Sequence, residues 1–213
     1  MKIGEFEVET EDLVYIPSDD TFLLAENLDI NYGDTVLEIG TGTGLVAMYA
    51  SQLTNKITVT DINFNALQLA EKNFKKNNID NIEIIFGNLF EPLKNRKFDV
   101  ILFNTPYLPT SNDEILDNDL NYAFDGGPDG RKVIDIFLNQ VKNYLNENGK
   151  LQMIQSSLSD IDKTLQKLDH KGFISEVGAS EKFFFEEIVL ITGDFIYKKN
   201  KKIILNLRSP PGK

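Results

Sequence analysis

The chain has 213 residues, 41% of them apolar, no cysteine and a formal net charge of −11. Such a length suits a single domain with a full core, and the missing thiols exclude disulfides and thiolate zinc sites and fit a reducing compartment. So acidic a chain is repelled by phosphate backbones, which argues against a bare nucleic-acid binder. The one dense basic cluster, Lys198, Lys199, Lys201 and Lys202, reads as a solvated turn. No stretch has the ~20 apolar residues of a membrane span and the start has no signal-peptide run, so a soluble cytoplasmic protein is expected.

Short β-rich runs alternate with segments of helical period, the pattern of an α/β domain with a parallel sheet. The first strand is 35–39, followed by a glycine-rich turn and a helix over 45–53. A second strand spans 57–61. Asn63 then caps a helix whose apolar positions Ala66, Leu69, Ala70 and Phe74 share one face. Strands follow at 82–86 and 98–103. Segment 105–129 is rich in Pro, Asn, Asp and Gly and too long for an idle connection. A helix over 131–145, a strand over 150–155 and a helix over 161–168 come next. The last third, 173–177, 183–191 and 203–207, reads as strands with no helix between them, hence antiparallel. The expected architecture is a parallel sheet ending in an antiparallel hairpin.

Glu38-Ile39-Gly40-Thr41-Gly42-Thr43-Gly44 lies between a strand and a helix, where glycines permit a tight turn and close approach of a ligand. Asp61 ends the next strand, about 20 residues on, where a carboxylate can accept both hydroxyls of a ribose. Dinucleotide sites set a pyrophosphate on this helix start. Glu38 would repel that anion and suits a cationic ligand without phosphate. The choice therefore falls on S-adenosylmethionine.

Asn104-Thr105-Pro106-Tyr107 follows the fourth strand directly, at the carboxyl edge of the sheet where open α/β sheets bind ligands. An amide or aromatic amine nitrogen is a poor nucleophile because its lone pair is delocalised. The Asn104 side-chain oxygen and the Thr105 carbonyl can each accept one of its N–H bonds, aligning the nitrogen and favouring the positive charge it develops. Pro106 fixes the backbone, and Tyr107 offers a flat electron-rich face. These four are the candidate catalytic residues.

Five segments occur in order: residues 15–24 (Tyr15-Ile16-Pro17-Ser18-Asp19-Asp20-Thr21-Phe22-Leu23-Leu24), the glycine loop, Thr60-Asp61-Ile62-Asn63, the Asn104 tetrapeptide, and Ala123-Phe124-Asp125-Gly126-Gly127-Pro128-Asp129-Gly130-Arg131. Over about residues 12–192 they resemble the HemK-like release-factor glutamine methyltransferases, in the short archaeal and eukaryotic branch. The resemblance implies a Rossmann-like class I methyltransferase. Its sheet has seven mostly parallel strands, an antiparallel C-terminal hairpin and helices on both faces. It implies one domain over 1–213, with 1–30 covering substrate and cofactor and 208–213 a flexible tail. It further implies N5-methylation of the glutamine in the Gly-Gly-Gln loop of a class I release factor. Thr21, Glu38, Gly40, Gly42, Asp61, Asn88, Leu89 and Asn104 would bind S-adenosylmethionine, with Asn88 and Leu89 beside its adenine. Asn104 and Tyr107 would hold the glutamine amide. A small zinc-binding activator works with that branch, and an edge strand at Ile82–Phe86 would be its place of strand addition. The family usually has Pro where this chain has Thr105, and often Asp where it has Asn88; the carbonyl and an acceptor oxygen survive both changes.

Two other readings use the same residues: an adenine N6 or guanine N2 methyltransferase acting on nucleic acid, and a scaffold that binds cofactor or partner without catalysis. Acidity and the lack of room for a recognition domain weigh against the first. Thr105 is the support for the second. His170, the only histidine, is read as a surface residue near a helix end. Phe183-Phe184-Phe185 is read as core strand, with a partner-flanking surface as the alternative. Glu186 and Glu187 are read as a solvated strand start, and the acidic loop 113–119 as solvated.

Overall fold

A sheet with β-branched residues on both faces must be covered on both sides, and the computed structural model, which describes residues 1–111 and 113–196, shows how. The parallel strands β3 (Thr35–Ile39), β4 (Lys56–Asp61) and β6 (Phe98–Asn104) are buried along nearly their whole length. With β5 (Ile82–Phe86), β7 (Leu145–Ser156), β8 (Phe173–Lys182) and β9 (Glu187–Phe195) they form one seven-stranded sheet in the order β5-β4-β3-β6-β7-β9-β8. Pairing is parallel from β5 through β7 and antiparallel for β7–β9 and β8–β9. β5 is an edge.

From β3 the chain steps outward through β4 to β5, then returns to β6 on the other side of β3 and steps to β7. Right-handed crossovers in opposite directions place α2 (Leu45–Ala50) and α3 (Phe64–Lys76) on one face and α4 (Lys132–Gln140) on the other. The strand order therefore reverses between β3 and β6, and a crevice opens at their carboxyl ends.

Asn63 caps α3, its side chain accepting from the Asn65 N–H at 2.9 Å. The expected face of α3 is buried, and it includes Asn73. Asn73 and Asn77, one turn apart, act as a substitute strand. Their side-chain oxygens accept from the N–H groups of Glu9 and Glu7 at 2.8 and 2.9 Å, and their amides donate to the carbonyls of the same two residues at 3.1 and 2.9 Å. This ladder docks the N-terminal hairpin, β1 (Lys2–Ile3) with β2 (Phe6–Glu7), which the sequence pattern does not announce. The chain then reaches α1 (Asp19–Ala25), also unannounced.

Several boundaries differ from expectation. The second helix stops at Ala50, and α4 stops at Gln140. A 3₁₀ turn, Val141–Tyr144, follows α4, and Leu145 is already β-strand, because it pairs with Phe98 of β6. The helix over 161–168 is α5 (Ile161–Lys171), with His170 exposed in its last turn. The aromatic triplet is not core strand: β8 runs to Lys182, β9 begins at Glu187, and Phe183 to Glu186 form the turn between them, with the three phenylalanines exposed. At this hairpin tip Phe183, Phe184 and Phe185 face solvent and are not covered by the core. The expected strand 203–207, the lysine cluster and the tail 208–213 lie outside the described residues. Among the described residues no helix is long and apolar enough to cross a membrane.

Arg131 is 2% exposed. Its guanidinium donates to the carbonyls of Ser159 and Asp160, to the Thr164 hydroxyl at 3.0 Å and to Asp135 at 2.8 Å. It thereby joins the start of α4 to the turn between β7 and α5. Arg131→Met removes a charged donor from several buried acceptors at once. We expect a loss of about 3 kcal/mol, read as a lower denaturant midpoint at unchanged slope.

Candidate active site

The crevice between β3 and β6 is a cavity lined by Thr21, Glu38, Gly40, Gly42, Asp61, Asn88, Leu89, Asn104 and Pro106, brought together from five separate stretches of chain. Two of the expected site residues stand elsewhere. Thr105 and Tyr107 are buried behind the cavity wall rather than on it. Asn88 is exposed at the rim. Leu89 holds a left-handed backbone, φ +47°, that a branched side chain seldom takes, a strain tolerated where a wall must be shaped.

Glu38 is 3% exposed, and its carboxylate accepts from the Thr41 hydroxyl at 2.9 Å. Among the described residues it has no ion-pair partner. Burial pushes its carboxyl up to about 8, and the charge of Asp61 adds to that, against the pull of the Thr41 bond. Asp61 is raised too, by burial. Its oxygens are oriented by the Gly42 N–H at 2.9 Å and the Asn63 N–H at 2.8 Å, each leaving further acceptor capacity. At Gly42, φ is +55° and nothing stands within 4 Å of where a side chain would begin, so the turn presents bare backbone.

Asn104 ends β6, and its side-chain oxygen is buried without a hydrogen-bond partner. An orphaned acceptor of this kind costs about 1–3 kcal/mol, which a bound N–H donor would recover. The backbone after it is held tightly. The Thr105 hydroxyl donates to the Ile154 carbonyl of β7 at 2.7 Å, a tether in place of a proline ring. Beneath the loop, Gly130 has φ +69°, and a Cβ there would come within 2.4 Å of the Tyr107 carbonyl oxygen. Gly126 donates to the Leu108 carbonyl at 3.0 Å, and Asp125 accepts from Lys132 at 2.7 Å, which holds its carboxyl at about 2. Segment 123–131 is thus the brace under Asn104-Thr105-Pro106-Tyr107.

The structure adds residues that sequence reasoning missed. Tyr15, Pro17 and Asp20 line the cavity, as do Asp119, Leu120 and Tyr122 from the long loop. Asp20, 4% exposed, accepts from the Tyr107 hydroxyl at 3.1 Å, from the Tyr15 hydroxyl at 3.1 Å and from the Thr21 N–H at 2.6 Å. Burial, followed by the Asp20 charge, pushes both phenols well above their ordinary range. The signal was present in segment 15–24, but spacing alone does not pair Tyr15 with a residue 92 positions later.

A mostly parallel seven-stranded sheet with a reversed hairpin and a cavity at its switch point is the architecture of Rossmann-like class I methyltransferases. The chain belongs to the methyltransferase small-domain family, whose model matches residues 18–184. It is 48% identical over 180 residues to a Methanocaldococcus jannaschii protein provisionally named a protein N5-glutamine methyltransferase, covering 84% of this chain and 90% of the relative. It is 30% identical to the release factor glutamine methyltransferase of Geobacter sulfurreducens, over 75% of this chain and 59% of that protein. Among solved structures, the E. cuniculi Mtq2–Trm112 complex, described as responsible for methylation of the eRF1 translation termination factor, superposes with a TM-score of 0.65. It does so at 24% identity, over 85% of this chain and 98% of that one, a likeness of fold.

Proposed function

We propose that the chain transfers a methyl group from S-adenosylmethionine to the side-chain nitrogen of the glutamine in the Gly-Gly-Gln loop of a class I release factor. The observation that carries this reading is the pairing, in one cavity, of the unpartnered Asn104 oxygen with the buried, unpaired Glu38 carboxylate.

The cavity fits the methyl donor by its own chemistry. Glu38 answers a cationic ammonium, the oriented Asp61 carboxylate answers two ribose hydroxyls, and the bare turn at Gly42 admits the ligand closely. Leu89 and Asn88 line the place for the adenine, and Thr21 closes the N-terminal side. When bound, S-adenosylmethionine supplies an electrophilic methyl group on a sulfonium. Asn104 accepts one N–H of the glutamine amide, and the Thr105 carbonyl, next along the chain, accepts the other. Two acceptors align the nitrogen and stabilise the positive charge it acquires. Tyr107 acts from behind this wall: bonded to Asp20, it keeps the loop and α1 in register. An N-protonated amide gives its proton to water readily, so no residue is required as a strong base.

The edge strand β5 supports a partner in the same scheme. Ile84 and Ile85 are only half-covered, Phe86 is 57% exposed, and its backbone ladder is open. Strand addition by a small zinc-binding activator would close it.

The test is transfer of labelled methyl from the cofactor, with and without such a partner, to an archaeal class I release factor, to its Gln→Ala variant, and to DNA and RNA. Label on the wild-type factor alone is expected. Label on nucleic acid would move the assignment to a nucleobase amine, and transfer to nothing would leave a binding scaffold.

A further inference from the structure

The turn between β8 and β9 carries its aromatic side chains outward. Phe184 and Phe185 are 91% and 85% exposed and rest edge to face, their centroids 4.6 Å apart. The turn itself is well fixed. Phe183 N–H donates to the Glu186 carbonyl at 2.8 Å, the Ser156 hydroxyl donates to the Glu186 carboxylate at 2.6 Å, and Glu187 N–H donates to the Ser157 hydroxyl at 3.0 Å. These bonds bolt the rings to the carboxyl end of β7. That end borders the active site: Ile154 of β7 stands opposite Asn104 in the ladder and receives the Thr105 hydroxyl. Nothing in the chemistry proposed above uses the rings.

We propose that Phe184 and Phe185 are a docking tip for the protein substrate, gripping an apolar side chain of the basic polypeptide that carries the target glutamine. The proposal rests on the glutamine-methyltransferase reading. Charge selects the occupant. Glu181, Glu186 and Glu187 flank the rings against one lysine, Lys182, Asp119 stands in the cavity wall, and the chain carries −11 overall. A second copy of this chain would bring the same acidic surface and be repelled, and so would an anionic lipid headgroup. An apolar residue with Lys or Arg beside it meets both features of the tip. Exposed aromatic rings on a rigid support are the kind of anchor on which interface energy concentrates.

The test is the double variant Phe184→Ser/Phe185→Ser, with Phe184→Leu/Phe185→Leu as the apolar control. Both side chains are outside the core, so thermal melting should be unchanged. An archaeal class I release factor is titrated calorimetrically into the cofactor-loaded chain, and kinetics are compared on the intact factor and on a short Gly-Gly-Gln peptide. In the serine variant, Kd and KM for the intact factor should rise about tenfold or more. Its kcat and its kinetics on the peptide should not move, and the leucine variant should recover most of the affinity. Unchanged affinity for the intact factor would overturn the proposal. So would an equal loss on the peptide, or a wild-type dimer in sedimentation that the serine variant dissolves. A wild-type chain that methylates neither substrate would instead bring down the activity on which the proposal rests.

Discussion

Replacing Asn104 with Ala should lower the single-turnover rate of methyl transfer by about a thousandfold, while the affinity for S-adenosylmethionine changes little. The size follows from what the residue contributes. Its side-chain oxygen is a buried acceptor with no partner, fixed at the end of β6 and backed by the Thr105 tether and the Gly130 brace. Such a group is held by the fold before substrate arrives, and the bond it would make to the amide is one the free protein lacks. In the variant the amide nitrogen loses both its alignment and the acceptor that favours its developing charge. The free protein, by contrast, loses an unsatisfied polar atom and should be no less stable. A large fall in rate at equal or higher melting temperature is the signature. An active Asn104→Ala enzyme would remove the residue from the mechanism.

Glu38 gives the second large effect. Its carboxyl is pushed up to about 8 from an ordinary 4.5, chiefly by burial. Between those values the folded chain holds a proton that the unfolded chain has released, so stability from this group is complete below pH 4.5 and is lost as pH rises through 8. A cationic ligand beside it reverses the shift, and binding at pH 7 should release a proton. Calorimetry in buffers of different ionisation enthalpy reads that release directly. Glu38→Gln should abolish it and weaken cofactor binding by at least about thirtyfold. The same variant should melt higher than the wild type above pH 8 and no differently near pH 5, because only at the higher pH does the wild type bury an uncompensated charge. Binding enthalpies independent of buffer would show that Glu38 does not receive a cation.

How much of this could be read from the sequence depends on how local the determinant is. The central strands and the caps of their helices follow from short patterns: β-branched runs, Asn63 before an apolar face, glycines after Glu38. The cavity residues at strand ends were legible for the same reason, since position on a strand fixes which edge a residue occupies. Residues whose role is defined by a distant partner were not. Asn73 and Asn77 look like polar interruptions of a helix until the N-terminal chain is laid against them. Tyr107 looked like a substrate platform, and its buried hydroxyl turns out to belong to Asp20. Thr105, read as a lost proline, has a hydroxyl that restores the restraint through Ile154. The phenylalanine triplet has strand composition, but nothing in composition says that a hairpin must turn there. Segment 123–131 was recognisable as a motif while its physical reason, contact with the loop after β6, was visible only in three dimensions.

In the proposed function the acceptor at Asn104 selects the side-chain nitrogen of a glutamine. Fragmentation mass spectrometry of a release factor treated with the enzyme and cofactor tests it most directly. One added methyl group is expected on the Gly-Gly-Gln peptide, located on the glutamine side-chain nitrogen and absent with the Asn104→Ala enzyme. A methyl group on any other residue, or one that persists with that variant, would contradict it.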